Sequence, residues 1–205
     1  MRGAWMVLAA LVIARAARAQ CCAPPVSWVA DVNPSAQAGT ALPSRVWLGP
    51  RPVMLEQTTL AQAAGASHPI GHAGEAGTSA YWLCYATPPG RVWLIADGEM
   101  GGPEHRITEV IASAPPPGAL STECPGRPAA VGRMSIEPNI GLGTPVNRLV
   151  AALGAPVSRT ARRIAFASQT AVSIKGSACT TTRWVGADLA AGKVTRLDVR
   201  QITAC

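Results

Sequence analysis

Two stretches of this chain repeat one pattern 89 residues apart, and self-similarity on that scale constrains the fold more than any motif does. Leu60-Ala-Gln-Ala-Ala-Gly65-Ala and Leu149-Val-Ala-Ala-Leu-Gly154-Ala each set a Leu five residues before a Gly. Each also follows a short apolar segment ending in Gly, Val46-Trp-Leu-Gly49 and Ile140-Gly-Leu-Gly143. Further on, Ile107-Thr-Glu-Val110 matches Val194-Thr-Arg-Leu197 at an offset of 87, and Trp93 precedes Trp184 by 91. Ala, Gly and Leu match easily by chance, so the repeat rests on the agreement of three offsets. They predict two related units in tandem.

Within each unit the pattern reads as helix, then strands. Thr58-Thr59 and Thr144-Pro145 are helix-opening pairs, the first through a hydroxyl cap and the second through a cap with Pro at the first helical position. Gly65 and Gly154 are the matching stops. Val146, Leu149, Val150 and Leu153 recur at i, i+3, i+4 and i+7, which is one face of a helix. Strands are expected over residues 81–86, 91–96 and 106–111, then over 164–166, 171–175, 180–186 and 193–202, with Pro88-Pro89-Gly90 and Ala190-Ala191-Gly192 as turns. The expected fold class is α+β: two tandem units of a short helix packed on an antiparallel sheet, stabilised by disulfides. Its parts are an extended N-terminal arm (20–44), a first unit (45–113), a Pro/Gly linker (114–132) and a second unit (133–205).

Ile140-Gly-Leu-Gly143-Thr-Pro with Leu149-Val-Ala-Ala-Leu-Gly154-Ala-Pro156, followed by strands ending in Gly192-Lys-Val194, resembles the pattern of the β-lactamase-inhibitory-protein-like fold. The small lipoprotein of the outer-membrane β-barrel assembly machinery shares that fold and has a similar helix-opening segment. The match spans residues 140–156 of the second unit and covers the first only loosely. What the resemblance implies is a tandem of two such units whose sheet forms a concave, aromatic-rich binding face closed by disulfides. This chain departs from it in lacking the lipoprotein's lipid attachment, and in having Phe166 as its only Phe, so that Trp and Tyr must supply the aromatic face. A shared fold implies architecture more than role.

Residues 1–19 read as a secretory signal. Arg2 supplies the basic start, Ala4 to Ala14 is an apolar run of eleven, and Ala17-Arg18-Ala19 is a small-x-small cleavage site. Eleven residues fall short of the roughly 20 that cross a bilayer, and Arg18-Ala19-Gln20 before Cys21 is no lipobox. The expected location is periplasmic or secreted, and the chain is not expected to be an integral membrane protein. All six cysteines (Cys21, Cys22, Cys84, Cys124, Cys179 and Cys205) remain after cleavage. In an oxidising compartment an even number favours disulfides, and the absence of any Cys-x2-Cys pair speaks against zinc. The repeat suggests pairing inside each unit, Cys84 with Cys124 and Cys179 with Cys205, which leaves Cys21 and Cys22 at the arm.

Charge divides along the same line. Residues 20–124 carry four Arg against eight Asp and Glu, while residues 125–205 carry eleven basic residues against three acidic ones. Opposite signs favour attraction between the halves or between copies, or a basic face offered to an anionic envelope component. Export, with no basic helix or aromatic strand platform, argues against nucleic acid.

Catalytic patterns are thin. Histidine chemistry is restricted to His68, His72 and His105. His68-Pro-Ile-Gly-His72-Ala-Gly-Glu75 is the one segment to test as a metal site, and its Pro and Gly make it a loop rather than a helix. Asp97, Glu99 and Glu104 lack calcium-loop spacing, and Gly101-Gly102-Pro103 reads as a turn between strands. No nucleophile elbow, phosphate loop or complete dinucleotide fingerprint is present. The sequence therefore reads as a non-enzymatic protein-binding module without cofactors, its partner an envelope or extracellular protein. A cell-envelope assembly factor and a metal-dependent enzyme using His68, His72 and Glu75 are the alternatives. The candidate binding residues are Tyr81, Trp82, Tyr85 and Trp93, as an outward-facing anchor patch against core packing, and Arg159, Arg162 and Arg163 on the basic half.

Overall fold

Strands send alternate side chains to opposite faces of a sheet, and in this protein both faces of the main sheet are covered. The computed structural model describes residues 23–34, 41–64, 70–87, 89–102, 104–115, 124, 132–136 and 140–205. Three strands, β1 (Arg45–Leu48), β2 (Arg51–Met54) and β7 (Met134–Ser135), form a small antiparallel sheet in the order β2-β1-β7. The large sheet, also antiparallel, contains β3 (Gly71–Ala73), β4 (Ala80–Thr87), β5 (Gly90–Asp97), β6 (Glu109–Ser113), β8 (Ser158–Arg159), β9 (Arg163–Ile174), β10 (Ser177–Ala190) and β11 (Lys193–Ala204). Its order is β3-β4-β5-β6-β11-β10-β9-β8. The two compact parts of the chain thus share one sheet, joined where β6 pairs with β11. Among the described residues three short helices, α1 (Leu60–Ala64), α2 (Gly98–Gly101) and α3 (Val146–Leu153), complete an α+β fold that is mostly sheet.

The main core lies on one face. Leu83 and Tyr85 of β4, Leu94 of β5, Phe166 of β9, Val185 of β10 and Val199 of β11 meet Leu60 of α1, Leu149 and Leu153 of α3, and Val46 and Leu48 of β1. Val146 and Val150 pack at the rim of this core, so the helical stripe read from the sequence is the buried stripe. Thr59 and Gln62 cap α1 reciprocally: Gln62 N donates to Thr59 Oγ1 (3.1 Å) and Thr59 N to Gln62 Oε1 (2.9 Å), which is a capping box. At α3 the expected cap is displaced by one residue. Pro145 stands just before the helix, and the Thr144 hydroxyl instead accepts from Gly141 N (3.0 Å), closing the preceding turn. Gly154 ends α3 at φ 84°, a conformation that suits Gly.

The second face carries Trp82, Cys84, Trp93, Ile95 and Ile111, clustered with Cys124. Over β6, β9, β10 and β11 the cover is the N-terminal arm, whose 3-10 turn Val29–Asp31 buries Val29 completely. Disulfides join Cys84 to Cys124 and Cys179 to Cys205, the pairing that the repeat suggests. Residues 1–19, read as a signal, together with Cys21, Cys22, Gly65 and most of residues 114–132, lie outside the described residues. β9 runs unbroken through residues 163–174, where two shorter strands were expected, because the polar interval Ser168-Gln169-Thr170 stays in ladder register with Arg183, Thr182 and Thr181. No helix among the described residues is long and apolar enough to cross a membrane.

Candidate functional site

The aromatic patch expected on the outside does not form there. Trp82 and Trp93 share the face away from the helices, as alternation requires, but they are 4% and 6% exposed against the Cys84–Cys124 disulfide. Tyr85 points to the opposite face, is fully buried, and donates its hydroxyl to Ala63 O at 3.1 Å. Burial pushes that phenol's pKa up, with Arg51 opposing. Anchor residues cannot act from within a core, so these three hold the fold. Tyr81 is half-buried between two imidazoles, with ring centres 4.3 Å from His72 and 3.8 Å from His105.

That sandwich also disposes of His72 differently from the metal reading. Its Nε2 lies 3.0 Å from Ser79 Oγ, and its ring stacks on Tyr81 rather than facing a carboxylate. Glu75 is exposed, and its main-chain carbonyl receives bonds from Thr78. His68 lies outside the described residues, and among those residues no three His, Cys, Asp or Glu side chains stand close enough to hold a metal ion. The acidic run at 97–104 is likewise divided: Asp97 pairs with Arg200 (2.6 Å) and Glu104 with Arg106 (2.9 Å). The expected turn there contains α2.

Arg159, Arg162 and Arg163 do come together, at the β8–β9 turn. Thr160 fixes the turn: its hydroxyl accepts from Arg162 N (3.2 Å) and Arg163 N (2.9 Å), and its N–H donates to Arg163 O (2.8 Å). Arg163 is then occupied, 3.1 Å from Asp188 and 5.1 Å from the centre of the Trp28 ring. It holds the arm, so the free cations of this cluster are Arg159 and Arg162, both exposed and without a side-chain partner among the described residues.

Beside this turn the sheet ends unevenly. β8 pairs with β9 only at Ile164 and Ala165. From Phe166 to Ile174, β9 is bonded to β10 on one side, and among the described residues no backbone partner lies on the other. Gln169, Thr170, Ala171 and Ser173 are exposed, and Ile174 is 45% exposed. The run is uncharged between Arg163 and Lys175. An edge of this kind presents a row of backbone donors and acceptors to another chain. The opposite edge of the sheet is β3, three residues long.

Behind the edge, the arm is seated on buried charge. Arg200 of β11 bridges Asp97 (2.6 Å) and Glu109 (3.0 Å), and Ser27 of the arm donates to Glu109 Oε1 at 2.5 Å. Arg196 grips Asp198 with two bonds of 2.7 Å and donates to Val26 O at 2.8 Å. Desolvation raises Glu109 above the usual carboxylate range against the opposing pull of Arg200. The same cause, opposed by Arg196, carries Asp198 to about 7. Trp184 Nε1 donates to Val32 O at 3.0 Å. Sequence reasoning missed this third layer, although Gly186 in mid-strand was a signal for it: a Cβ there would collide with Val29 and lie 3.1 Å from the Trp28 ring.

Comparison of the chain with protein-family models, curated proteins and solved structures finds no match.

Proposed function

We propose that this protein is a periplasmic or secreted, non-enzymatic module that binds another protein by accepting one of its strands along β9. The observation that carries the reading is the uncharged edge of β9 from Phe166 to Ile174, without a backbone partner on its outer side among the described residues and bounded by Arg159 and Arg162 at one end and Lys175 at the other. An added strand gains main-chain hydrogen bonds along the edge. Cations at both ends select a segment with an uncharged β-forming middle and acidic flanks. A second copy of this chain fits worse, because antiparallel pairing of β9 with itself brings Arg163 and Lys175 of opposite copies together.

The two halves are read as tandem copies. Each sets a short helix, α1 or α3, before four strands of the large sheet, β3–β6 and β8–β11, and the mirrored order about the β6–β11 pair supports that reading. It also supports a fold of the inhibitory-protein-like kind, with the binding role moved from the aromatic face to the sheet edge.

Purified, oxidised protein is immobilised, exposed to periplasmic or secreted extract, and compared with Arg159→Glu/Arg162→Glu and Ala171→Pro. The charge reversal removes the flanking cations, and the proline interrupts the edge. One stoichiometric partner retained by the wild type and lost from both variants supports the reading. Capture unchanged in both variants, or no partner at all, contradicts it.

A further inference from the structure

Two open clefts adjoin along the small sheet. The first, about 720 Å³, is lined by residues 41–45 with Trp47, Ile136 and Arg183. The second, about 610 Å³, is lined by Arg133, the turn 141–144 and the start of α3 with Arg148. Gly49 and Ser135 border both, so the two are continuous neighbours. Each is of the size that accommodates a small molecule.

Their chemistry is one-sided. Arg45 and Arg183 line the first cleft, Arg133 and Arg148 the second, and no Asp or Glu occurs among the described lining residues of either. Elsewhere four arginines have carboxylate partners (Arg106 has Glu104, Arg163 has Asp188, Arg196 has Asp198, and Arg200 has Asp97 and Glu109), while Arg51 donates to Gln62 O and, among the described residues, Arg159 and Arg162 stand free on the β8–β9 turn. In the clefts the partners are neutral. Arg183, half-buried, donates to Gln201 Oε1 at 2.7 Å, and the nearest carboxylate along that chain, Glu56, is already taken by Gln201 and Thr203. Arg45 Nε lies 3.2 Å from Met54 Sδ, with its guanidinium over Trp47. Arg133 and Arg148 are exposed, with no side-chain partner among the described residues. Uncompensated cations in a concave wall focus positive potential, and the planar guanidinium matches carboxylate and phosphate with two parallel bonds.

We propose that the paired clefts bind a small, multiply charged anion whose carboxylate or phosphate groups are shared between Arg45 and Arg183 on one side and Arg133 and Arg148 on the other. The first cleft borders β9, since Leu42 N donates to Ser168 Oγ (3.5 Å) and Arg183 is the β10 residue opposite Ser168, but anion binding there does not depend on strand capture.

Calorimetric titration of the full oxidised protein at low ionic strength, with citrate and with inorganic pyrophosphate as probes, tests it. Saturable binding of at least one probe is expected, and the preferred probe distinguishes carboxylate from phosphate. Arg133→Glu/Arg148→Glu and Arg45→Glu/Arg183→Gln should each weaken binding at least about tenfold, as expected for lost charge-assisted bonds. Arg159→Glu/Arg162→Glu makes the same change in net charge as the first pair and should leave binding within about twofold, since exposed charges away from the site are screened. Absence of binding by both probes overturns the proposal, and so does an equal loss in all three variants, which would reflect net charge alone. A loss confined to one of the two cleft pairs overturns the shared seat. Arg133 and Arg148 are exposed, so their variant folds even where substitution of half-buried Arg183 does not.

Discussion

Replacing Gly186 should unseat the arm, and the cost can be worked from its contacts. A methyl group at 186 collides with Val29 Cγ1, and Val29 has no exposure with which to retreat without leaving the sheet. Val29→Ala alone removes two buried methyl groups, about 2 kcal/mol with the cavity included. Gly186→Ala displaces the whole Val29 side chain and strains the Trp184–Val32 hydrogen bond, about 3 kcal/mol together. Independent effects would add to about 5 kcal/mol in the double variant. Because Val29→Ala deletes the colliding atom, the double variant should instead cost about 2–3 kcal/mol, a coupling of roughly 2 kcal/mol. Urea unfolding of the oxidised protein, followed by Trp fluorescence, gives the four midpoints of the cycle, and limited proteolysis reports whether residues 23–34 have come free. Coupling below about 0.5 kcal/mol, or an arm still protected in Gly186→Ala, would refute the socket.

Asp198 titrates near 7 in the folded chain against an ordinary 3.8, so folding holds its proton more tightly than the unfolded chain does. Its contribution is therefore full below about pH 4 and is lost progressively up to about pH 7; urea midpoints should fall across that window and level off above it, and Asp198→Asn should flatten the fall. Trp82→Ala and Trp93→Ala should each cost about 3–5 kcal/mol in urea unfolding while the folded fraction still captures its partner, the behaviour of core residues and not of anchors. Removing the Cys84–Cys124 bridge, which closes 40 residues, should cost about 4 kcal/mol, and removing Cys179–Cys205, which closes 26, about 3.5 kcal/mol, read from thermal unfolding of the Ala double variants.

Local signals in the sequence carried much of the scaffold. Short apolar runs bounded by turn residues located β4 and β5, the 3.6-residue stripe at Val146 to Leu153 located α3, and pairing within each expected tandem unit gave both bridges. Charge asymmetry between the halves also has a counterpart, since Asp97 and Glu109 of the first half pair with Arg200 of the second. What depended on distant parts of the chain was less legible. Trp82 and Trp93 alternate correctly, yet nothing within the strands says that Cys124 and its disulfide will pack beside them. The arm carries no periodicity, so its seat appears only in its partners, chiefly Gly186 and Trp184. Arg163 reads as one of three equal surface cations until Asp188 and Trp28 arrive beside it. The open edge of β9 follows from the brevity of β8, a property of the sheet and not of either strand.

Backbone amide hydrogen exchange on the protein with its captured partner, compared with the protein alone, tests the central claim most directly. New protection concentrated in residues 166–174, with the arm and the β6–β11 junction unchanged, is the predicted result. Protection that leaves 166–174 exchanging at the free rate and appears elsewhere would contradict strand addition at β9.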